Sequence, residues 1–172
     1  MKNQKYKKLV DILVFTMLGV IMFISKLLLE GIPNVHLLGT LITAYTIVYR
    51  KDALKPIYIF VLLFGLYYGF GSWWIPYLYI WAILWGMIML LPKNMKPKVA
   101  VPVYMVISGL HGLLYGTLYA PVQAIIFGLD FKGMLLWIAS GFYFDLMHCA
   151  GNVVLGILIL PIAKALKKFH KR

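Results

Sequence analysis

The sequence predicts an all-α integral membrane protein: one compact bundle of six transmembrane helices with both termini in the cytoplasm. Three observations lead there. The 172 residues are 63% hydrophobic and only 13% charged, roughly half the charged share of a soluble domain. The apolar residues gather into six stretches divided by turn residues. The Lys and Arg residues fall almost entirely on alternate connections. One domain is expected at this length.

Span 1 runs from about Leu9 to Leu29, the right length for a hydrocarbon core of roughly 30 Å. The basic start before it resembles a signal peptide, but no small-x-small cleavage site follows, so it reads as a retained first helix. The turn Glu30-Gly31-Ile32-Pro33-Asn34 ends it. Span 2, about Val35 to Tyr49, is short for a lipid-facing crossing, which suits a helix shielded by neighbours. Arg50-Lys51-Asp52 closes it. Span 3 is about Ala53 to Phe70, with Pro56 in its first turn, where a missing N–H costs little. Gly65 and Gly69 read as a small-xxx-small pair.

Span 4 covers about Trp73 to Leu91 and stops at Pro92 and the basic stretch Lys93–Lys98. Span 5, about Val99 to Phe127, is long enough to tilt or to bend at Pro121. Gly109, Gly112 and Gly116 give it one smooth packing face. Asp130 is placed to cap span 6, about Gly133 to Ala163, which ends near Pro161 and a basic tail.

Charge placement tests the count independently. The segments before span 1, between spans 2 and 3 (with Lys55 in the first turn of span 3), between 4 and 5, and after 6 hold 4, 3, 3 and 5 Lys/Arg, which is 15 of 17. Only Lys26 and Lys132 fall on the other side. The positive-inside rule then sets both ends in the cytoplasm, in a multi-pass protein of a bacterial plasma membrane. The net charge of +12 does not indicate a nucleic-acid partner, because the basic residues lie between apolar segments and not on a soluble face.

Under this topology three polar clusters converge on the outer half of spans 4 to 6. In the last span, Asp145, His148 and Asn152 share one helical face at about 100° per residue. Such groups in a membrane-length helix are costly unless partnered, and mark a functional site by default. Asp145 suits a cationic or N–H-bearing group, His148 can donate or accept, and Asn152 can do both. An internally satisfied Asp145–His148 pair is the plainer alternative.

On span 4, Trp74, Tyr77, Trp81 and Trp85 repeat at i, i+3, i+7 and i+11. The plainer reading is an interfacial belt with lipid-facing packing. Trp81 and Trp85 lie too deep for a belt and suit a wall on which a flat ring stacks. On span 5, Tyr104, Ser108, His111, Tyr115 and Tyr119 share a broad face, with interhelical hydrogen bonding as the alternative to ligand contact. Asn34 and His36, in the turn before span 2, could form a lid or simply cap that span. The predicted substrate-binding set is Trp74, Tyr77, Trp81, His111, Tyr115, Tyr119, Asp145, His148 and Asn152.

No Gly-rich phosphate loop, His-Glu-x-x-His motif, hydrolase-type Ser-His-Asp order or paired carboxylates occur. The single Cys149 excludes an internal disulfide and a Cys-based metal motif. No catalytic residue, resident metal or cofactor is expected. The competing reading is a membrane-embedded enzyme or haem protein using His111, His148 and Asp145.

Six short spans, both ends inside, a basic cytoplasmic face and the Arg50-Lys51 turn after span 2 make up one pattern. The final helix adds Phe144-Asp145-Leu146-Met147-His148-Cys149-Ala150-Gly151-Asn152, then Val153 to Leu160, Pro161 and Lys164. Together these resemble the substrate-binding S component of energy-coupling factor (ECF) vitamin transporters. The resemblance implies a non-enzymatic subunit that captures a vitamin or similar micronutrient on the extracellular side. It also implies docking on a transmembrane T component carried by two cytoplasmic ATPases, and toppling in the bilayer to deliver the ligand. Many S components dock through Ala-x-x-x-Ala on span 1. Span 1 here has no Ala, and Gly19 with Thr16, or Ala44 nearby, are the closest small-residue substitutes.

Overall fold

A computed structural model describes residues 2–32 and 34–170. Pro33 of the first turn, and the ends of the chain at 1 and 171–172, lie outside the described residues. Those residues form eight α-helices and no strand: α1 (Lys2–Leu28), α2 (Leu38–Tyr49), α3 (Leu54–Tyr68), α4 (Tyr77–Met89), α5 (Pro97–Leu113), α6 (Tyr115–Phe127), α7 (Phe131–Leu155) and α8 (Ile159–His170). Four stretches are long and apolar enough to cross a membrane: Gln4–Leu28, Ser72–Met89, Pro97–Phe127 and Phe131–Phe169. The protein is therefore a helical membrane protein.

The short second apolar stretch is the hub of the bundle. Ten of the 12 residues of α2 are buried, and it packs on α1, α4, α5, α7 and α8. At 1.5 Å per residue it is about 18 Å long, too short to face lipid across a core of about 30 Å. Burial inside the bundle resolves the mismatch. Around it, Phe15, Met22, Ile57, Phe60, Ile80, Leu84 and Ile88 complete the apolar core.

Glycines set two of the closest approaches. A Cβ on Gly19 would stand 2.5 Å from Ile59 Cγ2 and 3.0 Å from the Pro56 carbonyl, so α1 and α3 touch there. Ala44 is fully buried. Neither Gly19 nor Ala44 is thus free as a docking surface, contrary to the sequence expectation. The face of Gly109, Gly112 and Gly116 packs on α7, as expected, against Val153, His148 and Asp145 respectively. Gly65 faces Phe70 and Trp74, whereas Gly69 lies beyond the helix at φ 84° with open space around it. These two glycines are not a helix-approach pair.

Two predicted spans are interrupted. The fifth breaks at Leu114, which separates α5 from α6, and not at Pro121, which lies inside α6. The sixth tightens into a 3₁₀ turn at Gly156–Leu158 before α8. Asp130 caps α7 as expected, its Oδ1 accepting from the Gly133 N–H at 2.6 Å.

The connections sort to two ends. At one end, the Tyr68 hydroxyl donates to Glu30 Oε1 at 2.7 Å, and the Tyr119 hydroxyl donates to the Trp73 carbonyl. At the other, Arg50 donates to the Met89 carbonyl at 2.9 Å, and Trp85 Nε1 donates to the Arg50 carbonyl at 2.9 Å.

Candidate functional site

Helix α7 carries its polar residues along one stripe, and the neighbours of that stripe differ from turn to turn. Asp145, His148 and Asn152 are its buried residues. A cavity of about 230 Å³ opens beside the first two. It is lined by Asn34, Tyr115, Gly116, Tyr119, Trp137, Gly141, Phe144, Asp145 and His148. It sits at the end of the bundle marked by Glu30 and Trp73.

The break at Leu114 shapes the cavity floor. The Gly116 N–H, in the first turn of α6, donates to Asp145 Oδ1 at 2.8 Å. A helix start holds uncompensated amides and a partial positive charge, and a carboxylate there satisfies both. The approach is close: a Cβ on Gly116 would lie 2.5 Å from Asp145 Oδ2 and push that carboxylate aside. Asp145 is 3% exposed and makes no hydrogen bond with His148 among the described residues. No hydrogen bond among the described residues uses Oδ2, and Asp145 lines the cavity.

Aromatic rings form the walls. Tyr115 stacks on His148 with centroids 4.6 Å apart, and Tyr119 lies nearly parallel to Trp137 at 6.2 Å and 15°. Behind Tyr115 stands Trp81, 5.8 Å away. Trp81 also meets His111 at 5.9 Å and His36 at 5.8 Å. The Tyr77 and Tyr115 hydroxyls lie near each other. Tyr77 and Trp81 thus support the wall without lining the cavity.

His36 sits 5.1 Å from His148 and is only 4% exposed. It packs between Trp81 and His148 behind the cavity lining and does not cap α2, whose start has no side-chain cap. Asn34 lines the mouth with φ 60°, a left-handed conformation that Asn tolerates better than most residues. Lys26 on α1 is near enough to act electrostatically on both His36 and His148.

Three predicted residues have other work. Trp74 belongs to a 3₁₀ turn (Ser72–Trp74) that precedes α4. Its Nε1 donates to the Val61 carbonyl at 2.9 Å, and its ring packs edge-on against Phe70. His111 donates Nε2–H to the Ile80 carbonyl at 3.0 Å, tying α5 to α4. Asn152 donates to the Ser108 carbonyl at 2.9 Å, and the Ser108 hydroxyl meets that of Thr43 at 3.0 Å. Of the three residues in the enzyme or haem reading, Asp145 and His148 meet at the cavity while His111 is held away from it. Among the described residues no group of three or more His, Cys, Asp or Glu could hold a metal ion.

Trp137, Gly141 and Phe144 line the cavity without having stood out in the sequence as binding residues. They lie eleven, seven and four positions before His148, on the same stripe of α7. Carrying that periodicity outward would have found them. A wider groove of about 480 Å³ lies between α1 and α3, lined by residues including Ile12, Phe15 and Ile59. It lacks buried polar groups to orient a ligand, so the smaller cavity is the better candidate. Family models, curated proteins and solved structures give no match to this chain.

Proposed function

We propose that the protein is the substrate-binding S component of an ECF-type importer, and that the cavity beside Asp145 and His148 is its ligand site. In this reading the helices make six crossings, pairing α5 with α6 and α7 with α8. Both termini lie in the cytoplasm, and the cavity opens to the outside. The observation that carries it is a buried carboxylate and imidazole lining a ring-walled cavity at the end away from Arg50 and Lys93. Fifteen basic residues on the other connections support the orientation.

At about 230 Å³ the cavity falls below the roughly 300–1,000 Å³ of drug-sized sites. That favours a ligand of one or two rings, an aromatic or heterocyclic micronutrient. Tyr115, Tyr119 and Trp137 stack on its faces, and Asp145 Oδ2 accepts from an N–H or balances a cation. His148 supplies a further polar contact. The chain has no nucleotide-binding motif, so transport energy comes from two cytoplasmic ATPases acting through a transmembrane T component. Exposed apolar residues of α1, among them Leu13, Met17 and Ile24, offer that component a surface.

The test is the small-molecule content of the purified full-length chain, released by denaturation and identified by mass spectrometry. A single-ring or fused-ring compound at near one per chain is expected. The same compound should raise the unfolding temperature of ligand-free protein. No bound compound, together with no stabilisation by any of a panel of vitamins, would contradict the proposal.

A further inference from the structure

The opposite end of the bundle holds a second cavity with another chemistry. It measures about 150 Å³ and is lined by residues including Lys93, Pro97, Tyr104, Lys164 and Lys167. Three lysines thus line it from two parts of the chain: the loop after α4 and the helix α8. Among the described residues none of the three forms an ion pair, and no carboxylate lines the cavity. Like charges gathered without a counter-ion repel, so an anion bound between them relieves that cost.

Tyr104 adds a hydroxyl to the wall. The residue is 5% exposed and lines the cavity, and a hydroxyl there can donate to a bound anion. The wall thus offers a hydroxyl donor and lysine charge with no carboxylate beside them.

We infer that this cavity is a phosphate-binding site, built by Lys93, Lys164, Lys167 and the Tyr104 hydroxyl. The phosphate is carried by an anionic phospholipid headgroup or by a small soluble phosphate ester. At about 30 Å³ per water, the volume equals about five water molecules, room for a phosphate and its nearest atoms but not for a whole lipid. Basic pockets between helices at the membrane surface are suited to such headgroups.

The test uses the full-length chain in mild detergent. Phosphatidylglycerol and phosphatidylcholine are titrated against it by native mass spectrometry, and inorganic phosphate by thermal unfolding. Preferential retention of phosphatidylglycerol assigns the site to lipid. Stabilisation by phosphate without that preference assigns it to a soluble ester. In either case the Lys93→Gln/Lys164→Gln/Lys167→Gln variant should weaken binding by roughly fivefold per lysine, on the order of a hundredfold in all. Tyr104→Phe should weaken it severalfold. A control with three exposed lysines changed elsewhere, Lys5→Gln/Lys51→Gln/Lys132→Gln, should bind as the unaltered chain does. Both triple variants alter exposed side chains, and circular dichroism checks their fold. Equal losses in the two triple variants, or no binding of either probe by the unaltered chain, would overturn the proposal.

Discussion

Two polar clusters sit one to two turns apart on α7, and they do opposite things. Around Asn152 every approach is closed. Its amide donates to the Ser108 carbonyl at 2.9 Å. Gly39 and Gly112 leave no room beside it, since a Cβ on either would come within 2.7 and 2.9 Å of its side-chain atoms. Around Asp145 and His148 the packing is open, with about 230 Å³ beside them. Asp145 Oδ1 accepts from the Gly116 N–H, and no hydrogen bond among the described residues uses Oδ2. Residue type alone does not distinguish a ligand site from a structural knot in a membrane helix. What distinguishes them is whether the neighbouring helices close on the group from every side or leave a cavity beside it.

The closed cluster should be the more sensitive to added volume. A Cβ on Gly112 would stand 2.8 Å from the His148 carbonyl carbon and 2.9 Å from the Cys149 nitrogen. These are backbone atoms that cannot move alone. Gly112→Ala should therefore cost about 3 kcal/mol, the upper part of the overpacking range, measured by thermal or denaturant unfolding in detergent. A Cβ on Gly86 would meet nothing within 4 Å, so Gly86→Ala should be stabilising by about 0.5–1 kcal/mol. Equal effects from the two would show that α7 is not clamped as described.

The open cluster should respond in binding and not in folding. Trp137 lines the cavity and its neighbour Tyr119 is tied to the Trp73 carbonyl. Trp137→Leu should weaken the bound compound by about 0.5–1.5 kcal/mol of stacking, roughly 2- to 13-fold in Kd. Its unfolding temperature without ligand should stay within a few degrees. Isothermal titration with the compound found in the purified protein reads the first, and a thermal melt the second.

Much of this arrangement was legible in the sequence. The turn after Tyr49, the capping Asp130, the glycine face of α5 and the shared stripe of Asp145, His148 and Asn152 all follow from local pattern. The division of labour along that stripe does not, because it depends on where the other helices leave space beside it. The break at Leu114 was equally hidden. Nothing at that position is a helix breaker, whereas Pro121 is, and the interruption coincides with a contact from Asp145, 29 residues further along the chain. Trp74 misled for a local reason. Counting a stripe from it assumes a helix already formed at that point, but α4 starts only after Pro76. His36 lies in a short loop without periodicity, so its burial between Trp81 and His148 had no local signature.

The most direct measurement compares two single variants of α7 for ligand content per folded chain. Asp145→Asn keeps an oxygen for the Gly116 N–H but removes the charge facing the cavity. Asn152→Ser loosens the knot at a cost of about 1–3 kcal/mol and leaves the cavity intact. The account predicts that Asp145→Asn folds normally and loses the bound compound. It predicts that Asn152→Ser melts earlier while its folded fraction keeps the compound. Retention by Asp145→Asn and loss by folded Asn152→Ser would contradict it.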